Sequence, residues 1–202
     1  QNLSYKRPVD NFDRSKKPIS GNTPVVPVPD YWTSTLANGL KMIGVENLEV
    51  PSIQFQIAIK GGHRLLKKEK AGLSILTARM MEEATQDHTA EEIAIQLKRL
   101  GSEISFSCNA EETTITVWTL KKNIDATIKI LEEQLYRPKF DEKDFERLRD
   151  KQIEDIKRAN TSPVTIASNV FNSCLYGTDY IMGIPLLGTE QTVANLTLQD
   201  VK

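Results

Sequence analysis

Gly72-Leu73-Ser74-Ile75-Leu76-Thr77-Ala78-Arg79-Met80-Met81-Glu82-Glu83-Ala84-Thr85 is the stretch whose reading decides the fold. Leu73, Leu76, Met80 and Met81 recur at spacings of three and four, with Ile75 and Ala78 beside them. That period predicts a helix over Ala71 to Glu83 with one face in the core. Just upstream, Ile53-Gln54-Phe55-Gln56-Ile57-Ala58-Ile59 alternates with period two and predicts a half-buried strand. A polar loop, Gly61 to Lys70, joins the two.

Further upstream, Thr33 to Leu36 and Leu40 to Val45 flank Ala37-Asn38-Gly39. Asn and Gly both tolerate positive φ, so this is a hairpin. Downstream, Thr89-x-x-Glu92 is a capping box before Ile93, Leu97 and Leu100, and Gly101 suits the end of that helix. Ile104 to Cys108 and Thr113 to Leu120 read as strands. Asn123 starts a helix with Ile124, Ile128, Leu131 and Leu135 on one face, stopped at Arg137-Pro138. Asp141 starts a long charged helix to about Ala159, and Ser162-Pro163 opens another that carries Ile166, Val170, Phe171 and Leu175 as far as Gly177. The order β-β-β-α-α-β-β-α-α-α, with hairpin-linked strands and grouped helices, argues for an α+β fold. Helices should pack on one face of a mostly antiparallel sheet.

The 202 residues suit one domain plus an arm. The first thirty hold Pro8, Pro18, Pro24, Pro27 and Pro29, so residues 1–31 read as an extended linker and 32–202 as the globular part. With 39% hydrophobic and 26% charged residues, the chain reads as globular. A net charge of -1 without a basic block gives no reason to expect a nucleic-acid partner. No window approaches the ~18 apolar residues of a membrane span, and no signal peptide is visible. The chain starts at Gln1, and Thr197-Leu198-Gln199-Asp200 has the shape of a helix start just before the end. Both features lead us to expect a fragment of a longer chain. Cys108 and Cys174 are expected as two free, mostly buried thiols, with a single disulfide as the alternative.

The ordered motifs Leu36-Ala37-Asn38-Gly39-Leu40, Gly72-Leu73-Ser74, Leu97-Lys98-Arg99-Leu100-Gly101, Arg137-Pro138-Lys139-Phe140, Phe145-Glu146-Arg147 with Ile153-Glu154-Asp155-Ile156, and Leu186-Leu187-Gly188-Thr189 together resemble the pitrilysin/insulinase family of zinc peptidases, which includes the mitochondrial processing peptidases. The resemblance implies a two-layer α+β sandwich, truncated here at its C-terminal end. Catalytic members carry H-x-x-E-H on the first helix. Here Ile75, Ala78 and Arg79 stand at the first His, the Glu and the second His. The third ligand position is Asp155, and the supporting Glu seven residues earlier is Leu148. One carboxylate cannot hold an ion that needs three protein ligands. Arg79, fixed positive, is expected to repel a cation and to pair with Asp155. No zinc is therefore expected in this domain; the resemblance puts it in a homologous catalytic partner domain, in the same chain or complex.

Three functions follow. The favoured one is a non-catalytic domain that supports an active half and helps enclose a peptide. The alternatives are a purely structural assembly subunit and a stand-alone peptide-binding module. In catalytic relatives the strand matching Ser105, Phe106, Ser107 and Cys108 takes substrate at the sheet edge, so these residues are the candidate peptide site. Resemblance to bacterial two-half members suggests a periplasmic or envelope setting. His88 is expected as a solvated residue outside the Thr89 cap, and His63 as a loop residue without a catalytic partner. The charges between Asp141 and Arg158 are expected on an exposed helix face with i,i+4 pairs such as Glu154 with Arg158. Glu82 and Glu83 are expected as surface charge. No phosphate-binding glycine loop and no G-x-S-x-G serine is present.

Overall fold

The computed structural model describes residue 13, residues 15–17, residue 21 and residues 29–202. Most of the proline-rich arm expected over residues 1–31 lies outside the described residues. The chain forms two compact units, Gln1–Leu48 and Glu49–Lys202.

The first unit holds an antiparallel hairpin of β1 (Tyr31–Thr35) and β2 (Lys41–Val45). Its turn is the Ala37-Asn38-Gly39 loop. Gly39 takes φ +84°, which a side chain would disfavour. Asn38 Oδ1 accepts from Leu40 N at 3.1 Å, and Leu36 N donates to Leu40 O at 2.9 Å. Trp32 lies opposite Gly44, and a Cβ there would come within 2.2 Å of the indole ring. Glycine is thus the residue that lets the ring lie across the partner strand.

The second unit is built on a three-stranded antiparallel sheet of β3 (Ser52–Lys60), β4 (Glu103–Cys108) and β5 (Glu112–Leu120), in the order β3-β5-β4. Inward residues alternate with outward ones, as the period-two pattern requires. Ile104, Phe106 and Cys108 of β4 join Ile115 and Val117 of β5 in one core cluster. That cluster is covered by α1 (Leu73–Met80), α2 (Ala90–Leu100) and α3 (Ile124–Tyr136), which contribute Ala78, Ile93, Ile130 and Leu131. Gln54, Gln56, Thr114 and Thr116 occupy the other face, where Gln56 Nε2 donates to Thr116 Oγ1 at 3.3 Å. The fold is therefore α+β, with an antiparallel sheet and helices on one face.

A second cluster lies on the far side of α1. There Leu76 and Met80 meet Phe145, Leu148 and Ile156 of α4 (Glu142–Ala159), together with Val193 of α6 (Glu190–Ala194) and Leu196. Caps start the helices where the sequence places them. Thr89 and Glu92 form the reciprocal capping box of α2, Asp141 accepts from Lys143 N, and Ser162 accepts from Thr165 N at the start of α5 (Pro163–Tyr176). At the short α7 (Leu198–Val201), Asp200 Oδ2 accepts from Thr197 N at 2.8 Å.

Three local readings change. The helix expected over Ala71 to Glu83 is shorter, because the chain turns after Met80 and is drawn to the α3–α4 connection. Lys139 N donates to Ala84 O at 3.0 Å, and Gln86 N to Arg137 O at 2.9 Å. On α5, Ile166, Val170, Phe171 and Leu175 face outward, while Thr165, Asn169 and Ser173 are half-buried. Ser173 Oγ donates to Gly183 O at 2.8 Å, and a Cβ on Gly183 would lie 1.9 Å from Gly177 O, so close backbone contact fixes the polar side inward. Both cysteines are free, but only Cys108 is buried; Cys174 is exposed on α5.

Candidate functional site

Helix α1 carries two faces into two cores. Ala78 is buried and Ile75 half-buried against the sheet cluster, while Leu76 and Met80 face α4. Gly72 starts the helix in the left-handed region, φ +95°, where a Cβ would stand 2.6 Å from Leu187 O and 2.9 Å from Gln152 Nε2. Gln152 is fully buried on α4 and donates to Gly72 O and Leu187 O, both at 2.9 Å. Together these contacts fix the separation of the two helices at the start of α1.

Between the two cores, Arg79 reaches across to α4. Its Nη2 donates to Asp155 Oδ2 at 2.8 Å, and the two side chains are 29% and 23% exposed. The ion pair expected from the sequence is formed. Arg79 Nη1 is buried without a hydrogen-bond partner. Leu148, two helical turns before Asp155 on α4, is 4% exposed within the second core.

These residues do not fit a zinc ion. A site for it needs three protein donors at about 2.0–2.3 Å. Ile75 and Ala78 offer none, Arg79 has no lone pair to give, and the one carboxylate is engaged by a guanidinium. Among the described residues no group of three or more His, Cys, Asp or Glu is placed to hold a metal. Two surface grooves of about 400 and 440 Å³ are lined by other residues, without Ile75, Ala78, Arg79 or Asp155.

Neither histidine is part of this arrangement; His63 lies in the connection between β3 and α1 as its sequence suggests, whereas His88 is not the solvated residue expected. His63 is 3% exposed. Its Nε2 lies 2.9 Å from Ile181 O and 3.0 Å from Ile184 O, so this nitrogen carries the hydrogen and donates to the carbonyls of a tight turn. His88 is half-buried, with Nδ1 2.8 Å from Glu133 Oε1. The Thr85 hydroxyl donates to the same carboxylate. The hydrogen bond to Glu133 holds the His88 pKa above its ordinary value, against the opposing effect of burial. Burial pushes Glu133 up, but the bonds from Thr85 and His88 outweigh it and leave the carboxyl below its ordinary value. Both histidines pair with groups more than 40 residues away in sequence, which local pattern does not reveal.

The candidate peptide strand, β4, is an edge of the three-stranded sheet. Ser105 and Ser107 lie opposite Thr116 and Thr114, and Phe106 opposite Ile115. Antiparallel pairing directs alternate N–H and C=O groups to the partner strand and to the free edge. The Phe106 N–H points to the free edge, because it donates to Glu82 Oε1 at 2.9 Å rather than to β5. Ile104 and Cys108 share that orientation by alternation. Glu82 and Glu83 are therefore not plain surface charge. Glu83 pairs with Arg147 of α4 at 2.7 Å, and Arg147 also bridges to Asp144 at 3.1 Å.

Comparison with known proteins accords with this geometry. The family model described as Insulinase (Peptidase family M16) matches residues 42–190. A Bacillus subtilis protein named "Uncharacterized zinc protease YmxG" is 26% identical over 161 residues, covering 80% of this chain and 39% of the relative. A Helicobacter pylori protein named "Non-peptidase homolog YmxG" is 24% identical over 157 residues, covering 78% and 36%. A solved structure described as the peptidase M16 inactive domain from Pseudomonas fluorescens superposes with a TM-score of 0.78 at 20% identity, covering 85% of this chain and 42% of that one. The chain thus spans about two fifths of the length of the curated relatives it matches.

Proposed function

This chain belongs to the insulinase family of peptidases, and we propose that within it the chain is a non-catalytic domain that supports a zinc-bearing homologous half and helps enclose an extended peptide. The observation that carries the reading is the Arg79–Asp155 ion pair at 2.8 Å. On this reading the pair occupies the place between α1 and α4 where a zinc peptidase of this family would need its ligands, and acts there as a structural clamp. The relatives named as a non-peptidase homolog and as an inactive domain support the same reading. Zinc, and the hydrolysis it assists, belong on this reading to the partner half, which lies in the same chain or the same complex.

The part proposed for this chain is physical. Its sheet offers an edge, β4, the strand of Ser105, Phe106, Ser107 and Cys108, along which the outward backbone groups of Phe106 and Cys108 can face an extended peptide. Main-chain hydrogen bonds at such an edge bind peptides with little demand on sequence. A purely structural role in an assembly is the second reading. It is favoured by one observation, the carboxylate already seated on the β4 edge.

The test is reconstitution. A homologous half with an intact H-x-x-E-H motif, from the same source, is assayed on an unstructured peptide with and without this chain. The proposal expects little cleavage by the half alone and chelator-sensitive cleavage by the two together. Equal cleavage in both samples would contradict the supporting role and favour the structural reading.

A further inference from the structure

We propose that Glu82 is a latch on the free edge of β4, and that an extended peptide adds to this edge only when the Glu82 side chain swings away. The inference rests on the reading of β4 as a peptide-binding edge.

An incoming strand pairs with the outward backbone groups of alternate residues, here Ile104, Phe106 and Cys108. Phe106 is the central one of the three. Its N–H already donates to Glu82 Oε1 at 2.9 Å, so a carboxylate occupies the position where a peptide carbonyl would sit. The carboxylate also repels that carbonyl, because both are acceptors. The bond is charge-assisted, which makes it stronger than the neutral amide bond a peptide would offer in exchange.

The latch is carried on a fixed support. The turn after α1 is held by Glu82 N to Arg79 O at 3.2 Å and by Glu83 to Arg147 at 2.7 Å. Beyond it, Thr85 pairs with Pro138, and Lys139 N donates to Ala84 O at 3.0 Å. The backbone at Glu82 is thus anchored on both sides, whereas the Glu82 side chain itself is exposed. Opening therefore needs only side-chain rotation, with no movement of α1. Edge strands are commonly guarded by charged side chains against unwanted pairing. Here the guard bonds to the central amide of the edge itself.

The experiment is a titration of the whole chain with an unstructured, isotope-free peptide, read by amide shifts of the labelled protein. Wild type is compared with Glu82→Ala and Glu82→Asp. A charge-assisted bond must be broken in wild type only, so we expect Glu82→Ala to bind roughly tenfold tighter, with shifts at Ile104, Phe106 and Cys108. Glu82→Asp, one methylene short of the amide, is expected to follow Glu82→Ala; if it follows wild type instead, charge repulsion rather than the bond guards the edge and the latch is refuted. Equal affinity of all three through the same amides would also overturn the latch while leaving the edge reading intact. No shifts along β4 in any variant would overturn the edge reading itself. Hydrogen exchange checks the latch without peptide: the Phe106 amide is expected to exchange several-fold faster in Glu82→Ala, and an unchanged rate would count against the proposal.

Discussion

Replacing Asp155 with alanine strands the Arg79 guanidinium, and the size of the effect follows from the geometry. At an effective dielectric constant near 20, two unit charges about 4 Å apart attract by about 4 kcal/mol. Desolvation takes back much of this, because both side chains are mostly out of water and Arg79 Nη1 has no hydrogen-bond partner. Fully buried pairs lose about 3–5 kcal/mol when one partner is removed, and exposed ones about 0–1 kcal/mol. With exposures of 29% and 23%, this pair falls between, at about 1–3 kcal/mol. The assay is urea denaturation of Asp155→Ala, Arg79→Met and the double variant Arg79→Met/Asp155→Ala. At a slope of about 2 kcal/mol per M, the Asp155→Ala midpoint falls by about 0.5–1.5 M. The double variant recovers most of the loss, because apolar side chains can replace a half-buried pair without an unpaired charge. A coupling energy of about 1 kcal/mol or more is expected from the cycle. Single losses that simply add, within about 0.3 kcal/mol, would refute the clamp.

Other expectations concern pH, backbone and thiols. The raised pKa of His88 means that its pairing with Glu133 stabilises fully below the ordinary 6.5 and fades as pH rises through the raised value. Glu133, held low, keeps its contribution above the ordinary 4.5 and loses it as pH falls through the lowered value. The stability gap between wild type and His88→Ala should therefore be widest between these two pH values and narrow at alkaline pH; a gap that does not change with pH would contradict the pairing. Gly72→Ala combines a positive φ with a Cβ 2.6 Å from a carbonyl oxygen, so a loss of about 2 kcal/mol or more is expected in a thermal melt, and a neutral result would argue against this helix start. An alkylating reagent on the native protein should modify exposed Cys174 quickly and buried Cys108 slowly, with mass mapping of the labelled peptides as the readout.

The elements legible in the sequence are those set by local chemistry. Thr89 with Glu92, Asp141, and Ser162 before Pro163 mark helix starts because a short side chain must satisfy amides within its own first turn. The alternation from Ile53 to Ile59 and from Thr113 to Leu120 marks strands because one face meets the core. That Ile75, Ala78 and Arg79 offer no metal donor is equally plain, since aliphatic and guanidinium groups have no lone pair for a metal. What stayed hidden depends on distant partners. Ser102, Thr119 and Thr127 form a buried hydroxyl cluster at 2.8–2.9 Å, drawn from a loop, a strand and a helix. The bonds of His63 to residues 181 and 184, and of Glu82 to Phe106, likewise join separate elements. Nor does periodicity say which side of α5 faces the molecule. There the close approach of Gly177 and Gly183 outweighs the apolar stripe.

Zinc content of the purified chain, taken together with peptide cleavage by the same sample, tests the central claim most directly. The Arg79–Asp155 clamp predicts no stoichiometric zinc after exposure to the metal and no chelator-sensitive cleavage. One tightly held zinc per chain, with cleavage abolished by chelator and restored by metal, would contradict it.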